Sequence, residues 1–238
     1  LGFFSVIAWQ AAPGWLAARR RIYAIADVHG CAEKLRALHR RIQADLAARP
    51  GVLPLLIHLG DVIDRGPDTA GVLDILAGKL PAPTINLRGN HEATLAAALT
   101  GDAAAATDWL VGGGRESLAS WGADPGAPEG WAAAIPPAHR AVLDRMELYY
   151  DESGYVFVHA GIRPGVALRE QTEADLVGIR HPFLTSEADH GFIVVHGHTP
   201  RFAPELRDNR IGIDTAAVFG GKLTCLVLEE DRMGFLQA

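Results

Sequence analysis

Apolar residues recur along this chain in two rhythms. Short unbroken runs at Ile22 to Ala26, Leu53 to Leu59 and Thr84 to Leu87 have the length and composition of buried strands. Between them the spacing becomes helical. Residues 33–48 set Leu35, Leu38, Ile42 and Leu46 on one stripe, residues 69–80 repeat the rhythm up to Pro81, and residues 91–99 open a third helix. Three successive β-α units predict parallel strands with helices packed on the sheet.

The pattern changes after residue 92. Residues 93–147 are rich in Ala, Gly, Pro and Trp and read as a mostly helical insertion or cap on one domain spanning 21–238. Strand-like runs at 148–151 and 155–159 flank Glu152-Ser153-Gly154 and predict a hairpin. Further short β segments are expected at 192–196, 210–213, 223–229 and 233–236. An α/β first half and a β-rich second half together predict an α/β protein with two packed sheets. Residues 1–20 are an extension, apolar but broken by Gln10, Pro13 and Gly14. It lacks the basic residues that precede the apolar run of a signal peptide, and it is too interrupted to span a bilayer. A docked or frayed segment is expected, and a cytoplasmic location.

Composition narrows the class. With 238 residues, 49% hydrophobic and 21% charged, the chain can bury a sizeable core and does not read as disordered. A net charge of −6 argues against nucleic acid or an anionic membrane as partner. Two cysteines, Cys31 and Cys225, make no disulfide framework.

The polar residues that carry chemistry cluster just beyond predicted strand ends. They are Asp27-Val28-His29-Gly30, Gly60-Asp61-Val62-Ile63-Asp64-Arg65-Gly66, Arg88-Gly89-Asn90-His91-Glu92, His159-Ala160-Gly161 and His196-Gly197-His198-Thr199. Ligands of α/β sheets bind at the carboxyl ends of strands, so five such motifs can converge. Carboxylate, amide and imidazole donors suit manganese, iron or zinc better than calcium. Asp27 and His29 project toward one ion, the two oxygens of Asp61 can bridge, and Asn90, His159 and His198 complete a second site. Two ions about 3.5–4 Å apart can hold a bridging hydroxide and clamp phosphoryl oxygens for in-line attack.

The series ADVHG, GDVIDRG, GNHE, HAG and GHT resembles the phosphoprotein phosphatases within the binuclear metallophosphoesterases, over roughly residues 21–230. The likeness is greatest to the compact bacterial and phage Ser/Thr phosphatases, and residues 210–228 resemble the family's terminal strand pair. The resemblance implies a calcineurin-like, four-layer α/β/β/α sandwich of two mixed sheets. It implies two divalent metal ions, manganese first and iron or zinc otherwise. Asp27, His29 and Asp61 match the first metal site, and Asp61, Asn90, His159 and His198 the second. His91 matches the general acid, Asp64 its orienting carboxylate, Arg65 a phosphate clamp and Arg180 a second phosphate-binding arginine. Ala26 and Ala216 stand where the family commonly has glycine.

Other residues are expected to be structural. Cys31 reads as a small helix-start residue, His58 as a core histidine, Gly112 to Gly114 as a turn, and Trp109, Trp121 and Trp131 as cap packing. His196 is a candidate to support or join the ligands. The function expected is hydrolysis of phosphate monoesters, foremost phosphoserine or phosphothreonine in proteins, by hydroxide attack on phosphorus. The alternatives are a symmetrical dinucleoside tetraphosphate hydrolase and an inactive metal-binding adaptor. The adaptor is disfavoured because Asp64, Arg65 and His91 are all present.

Overall fold

The unbroken apolar strands are explained by burial on both faces. The computed structural model describes residues 7–238. Its strands are β1 (Gln10–Ala11), β2 (Arg20–Ile25), β3 (Leu53–His58), β4 (Thr84–Asn86), β5 (Tyr149–Glu152), β6 (Tyr155–Val158), β7 (Ile193–His196), β8 (Glu205–Leu206), β9 (Arg210–Gly212), β10 (Thr224–Glu229) and β11 (Arg232–Gln237). One sheet runs β1-β11-β10-β2-β3-β4 and the other β5-β6-β7-β9-β8. Strands β2, β3 and β4 are parallel, as are β6, β7 and β9, so both sheets are mixed.

Alternation along β2 shows how the layers form. Ile22 and Ala24 face the other sheet and pack with Phe157, Val195, Ile211 and Leu226. Tyr23 and Ile25 face the helices and meet Leu35, Leu38 and Ile42 of α1 (Ala32–Ala47). Burying each such leucine or isoleucine contributes about 1.5–3 kcal/mol. Beyond the second sheet, Val158 and Val194 pack under Leu176, Ile179 and Phe183. The order is helices, sheet, sheet, helix.

The remaining helices are α2 (Thr69–Ala77), α3 (Asn90–Ala98), α4 (Ala103–Trp109), α5 (Arg115–Trp121), α6 (Pro128–Ala134), α7 (Pro137–Leu143) and α8 (Glu173–Gly178). The cap helices α5 and α7 pack on α2, so the insertion covers the first sheet's helical layer. Helix α2 ends at Ala77, three residues short of expectation, because Gly78 leaves the helical conformation. Gly89 holds the N-cap position of α3, and the Asn90 side chain is turned to His159.

The segment preceding β2 is docked from residue 7 onward; residues 1–6 of the expected extension lie outside the described residues. Strand β1 pairs with β11, and the Trp9 ring is approached by Arg21, Arg49 and Arg232 at 4.9, 5.6 and 4.6 Å. Arg21 itself is buried and paired with Asp45 at 2.6 Å and with Glu229. The two-residue strands β1 and β8 carry too little periodicity to be read from sequence. Helix α8 had a readable start, since Thr172 accepts from the Asp175 backbone N–H.

Ala216 adopts a left-handed conformation (φ 60°, ψ 43°). A Cβ there costs about 1–2 kcal/mol, partly offset by the extra freedom a glycine loses on folding. Ala216→Gly is therefore expected to raise stability by about 0.5–1 kcal/mol, read as an upward shift in the urea midpoint. An unchanged or lower midpoint would mean that the turn relaxes around alanine.

Candidate active site

The parallel strands present their carboxyl ends at a common edge. Asp27, Asp61 and Asn90 follow β2, β3 and β4; His159, His198 and Asp214 follow β6, β7 and β9. The two sheets are tied together there: His159 Nδ1 lies 2.9 Å from the Leu59 carbonyl, and the His198 backbone N–H donates to Asp27 at 3.1 Å.

Asp61 is the centre of the arrangement. Its Oδ2 lies 3.5 Å from His29 Nε2, 3.4 Å from His159 Nε2 and 3.9 Å from His91 Nε2. Two groups of three potential metal donors share it: His29, Asp61 and His91, and Asp61, His159 and His198. Asn90 Oδ1 stands 3.1 Å from His159 Nε2, beside the second group. Asp27 belongs to neither trio; both its oxygens lie 3.1 Å from the His198 backbone N–H, which leaves them lone pairs for a cation.

Backbone strain is concentrated here. His29, Asp61, Asp64, Arg65 and His198 all have positive φ, at 43°, 48°, 69°, 64° and 63°. Non-glycine residues hold such conformations only where the surroundings enforce them, and they gather at functional sites. Glu92 supplies much of that enforcement. Its buried carboxylate accepts from the N–H groups of Gly89, Asp61 and Val62 at 2.8, 2.9 and 2.8 Å, locking the two loops together. Gly89 is required by the close approach, since a Cβ there would lie 2.1 Å from Asp61 Oδ1.

His91 is held differently from the other imidazoles. Its Nδ1 lies 2.8 Å from Asp64 Oδ2. Asp64 in turn accepts from the Trp109 indole N–H at 2.9 Å and the Ser117 hydroxyl at 2.6 Å. The cap therefore reaches the site through Trp109, which is expected from sequence to pack in the cap rather than line a substrate groove. Burial by itself would lower the His91 pKa, but the Asp64 hydrogen bond and Asp61 raise it above its ordinary value.

Arg65 is exposed and is gripped by the cap. Its N–H donates to the Gly113 carbonyl at 3.1 Å, its Nε to the Gly112 carbonyl at 3.4 Å, and its Nη1 to His29 Nε2 at 2.8 Å. Gly112 to Gly114 belong to a wide turn between α4 and α5, with Gly113 at φ 118°, so the expected turn also seats an arginine. Arg180 is exposed on the segment after α8, near enough for its charge to act on His198.

The donor set fits metal cations. His29 and His159 direct Nδ1 at the carbonyls of Ile63 and Leu59, at 2.8 and 2.9 Å, which leaves each Nε2 turned toward Asp61. Burial lowers the His29 pKa to about 4, keeping that ring neutral. Burial pushes Asp27 well up, helped by Asp214 and Asp61. Burial would lower His159, but Asp61, Asp27 and Glu92 raise it to about 10. The mutual effect of these carboxyls and the raised His159 both mark a centre that favours added positive charge.

Residues 20–223 match the family model described as calcineurin-like phosphoesterase. The chain belongs to the calcineurin-like phosphoesterases. This phosphoesterase is similar to the asymmetrical bis(5'-nucleosyl)-tetraphosphatase PrpE of Anoxybacillus flavithermus, 27% identical over 85% of this chain and 88% of that protein. It is similar to serine/threonine-protein phosphatase 1 of Salmonella typhimurium, 29% identical over 86% of this chain and 90% of the other. Its fold is shared with a cold-active protein-tyrosine phosphatase of a psychrophilic Shewanella, with TM-score 0.62 and 16% identity over all of this chain and 84% of that one. Members of the family use divalent metal ions.

In the phosphoesterase the structural residues fall into place. His58 is buried and linked to Asn86 at 2.7 Å and His39 at 3.2 Å. Cys31 precedes α1, and burial raises its thiol pKa, which opposes a nucleophilic role. His196 packs edge-on against Phe183 and bonds through Nδ1 to the Gly197 carbonyl, outside both donor trios. The sequence assigns no role at the site to Glu92, Trp109, Ser117 or Asp214. Glu92 had a signal, a glutamate at the third position of a helix. Among the described residues, no helix is long and apolar enough to cross a membrane.

Proposed function

We propose that this phosphoesterase hydrolyses phosphate monoesters whose leaving group is an alkoxide, foremost phosphoserine and phosphothreonine in proteins. The observation that carries this reading is the buried His91–Asp64 pair at 2.8 Å. An alkoxide is too basic to depart without a proton, whereas the phosphate leaving group of a polyphosphate needs none. A proton donor held this firmly fits the first task.

Asp27, His29 and Asp61 would hold one divalent ion; Asp61, Asn90, His159 and His198 would hold the other. When bound, two such ions supply positive charge against the phosphoryl oxygens and favour ionisation of an attacking water. Arg65 and Arg180 offer bidentate guanidinium donors to the same oxygens. His91 gives its Nε2 proton to the departing oxygen, while Asp64 fixes the ring through Nδ1.

The relatives include both a protein phosphatase and a tetraphosphatase, and one comparison separates these chemistries. Turnover of a phosphoserine peptide and of a dinucleoside tetraphosphate is measured at equal enzyme, with manganese added or chelated away. The expected result is a larger kcat/KM on the peptide and loss of activity on chelation. Faster cleavage of the dinucleotide with the peptide untouched would replace this reading. Its products would then distinguish symmetrical from asymmetrical cleavage.

A further inference from the structure

Large hydrophobic side chains left in solvent mark interaction sites when they cluster. Val111 and Phe219 are 84% and 66% exposed, and Phe202 is fully exposed. All three sit on loops that build the active site. Val111 adjoins the Gly112 carbonyl that accepts from Arg65. Phe202 follows Arg201, whose N–H donates to the Asp214 carbonyl at 3.0 Å. The Phe219 ring lies 5.7 Å from the Arg65 guanidinium carbon.

Phe219 is not exposed through looseness of its loop. It lies in a single 3₁₀ turn, Ala217–Phe219, bounded by left-handed Ala216 and Gly220. Lys34 donates to the carbonyls of Ala217 and Gly221 at 2.7 and 2.6 Å, clasping both sides of the turn. The Ala216 N–H donates to Asp214 at 2.9 Å, and Thr215 hydrogen-bonds to the Lys222 carbonyl at 2.6 Å. A Cβ on Gly221 would collide with the Thr215 carbonyl at 2.0 Å. The turn is pinned by a lysine, a carboxylate and a threonine, and it presents an exposed aromatic ring over which the Arg65 guanidinium lies.

We propose that Phe219 is a specificity-determining residue whose ring receives an aromatic side chain next to the phosphorylated residue of a peptide substrate. The inference rests on the phosphoserine/phosphothreonine reading above. The ring lies 5.7 Å from the guanidinium carbon of the phosphate clamp, within reach of a residue flanking the one whose phosphoryl group Arg65 holds. With Arg65 on the phosphoryl group, the side chain of a flanking residue reaches the Phe219 ring. An aromatic neighbour gains offset or edge-on ring contact that alanine lacks.

The test uses phosphoserine peptides that differ only in carrying Phe or Ala beside the phosphoserine, before or after it. Wild type, Phe219→Ala and Phe219→Tyr are compared, each with its metal content measured. Wild type should show a KM about 3- to 10-fold lower for the better-placed Phe peptide than for its Ala counterpart. Phe219→Ala should abolish that preference, and Phe219→Tyr should keep it. A role confined to holding Arg65 would instead lower kcat on every peptide alike with the preference intact, which overturns the proposal. Equal KM values for the Phe and Ala peptides in wild type would also overturn it while leaving the phosphatase reading standing. If no peptide is hydrolysed and a dinucleoside tetraphosphate is, both readings fail together; a dependence on Phe219 for the dinucleotide alone would reassign the ring to a nucleobase.

Discussion

Asp61→Asn is expected to strip metal from the protein and abolish measurable turnover while leaving the fold in place. Three imidazole Nε2 atoms stand within 3.9 Å of one Asp61 oxygen, and both donor trios share it. Burial alone would raise the pKa of this carboxyl, but His159, His91 and His29 hold it well below the carboxylate range, so it is anionic. Asparagine keeps the shape and can still accept from the His91 N–H, which Asp61 Oδ1 does at 3.0 Å. It loses the charge and places an NH₂ donor where a second oxygen faced the imidazoles. Disturbing only the outer partner of a ligand costs about 10–100-fold in metal affinity, and removal of a shared ligand should exceed that. Metal analysis after gel filtration, paired with kcat on a phosphopeptide, reads both effects. Two retained metals and a near-normal rate would show that Asp61 bridges nothing.

What the sequence revealed and what it hid follow a physical division. Elements with several turns or a run of buried positions were legible, as β2, α1 and β3 illustrate, because burial imposes a period on many residues at once. Convergence of the motifs was legible too, since parallel strands place their carboxyl ends on one edge. Contacts carried by single atoms across long sequence separations were hidden. Trp109 donates to Asp64 over 45 residues and Lys34 reaches Ala217 over 183; nothing in the spacing of either residue announces the partner. The left-handed backbone at Asp61, Asp64 and Arg65 was likewise invisible, because these residue types do not advertise it as glycine does.

The same division separates the chemistry that is firm from the substrate that had to be inferred. Ligand types and their order decide that metal-dependent phosphoester hydrolysis is the reaction class, and the family match agrees. The leaving group is decided by smaller things: whether a proton donor is oriented, and what lines the rim. Relatives at similar identity act, by their names, on proteins or on dinucleotides, so membership of the family does not by itself decide the leaving group. For this chain the proposed determinants are the His91–Asp64 pair, held by Trp109 and Ser117, and the turn that presents Phe219.

His91→Asn is expected to leave metal content unchanged and to lower kcat by roughly 10²–10⁴-fold on phosphoserine, with a much smaller loss on an aryl phosphate. The difference arises in the leaving group. A serine alkoxide must be protonated as it departs, whereas a phenolate is weakly basic and leaves largely unaided. His91 is suited to donate because the Asp64 hydrogen bond and Asp61 raise its pKa against the opposing effect of burial, so the ring holds its proton at a pH where free imidazole would be losing it. Asp64→Asn should reproduce the pattern more mildly, since Trp109 and Ser117 still constrain the side chain at this position while the charge that orients and supports the imidazolium is gone. The competing role is visible in the geometry: His91 Nε2 lies 3.9 Å from Asp61 Oδ2 and forms a donor trio with His29. Metal analysis separates the two roles. A metal lost together with equal losses on both substrates would make His91 a ligand, whereas retained metal with a loss confined to the alkyl ester assigns it the proton.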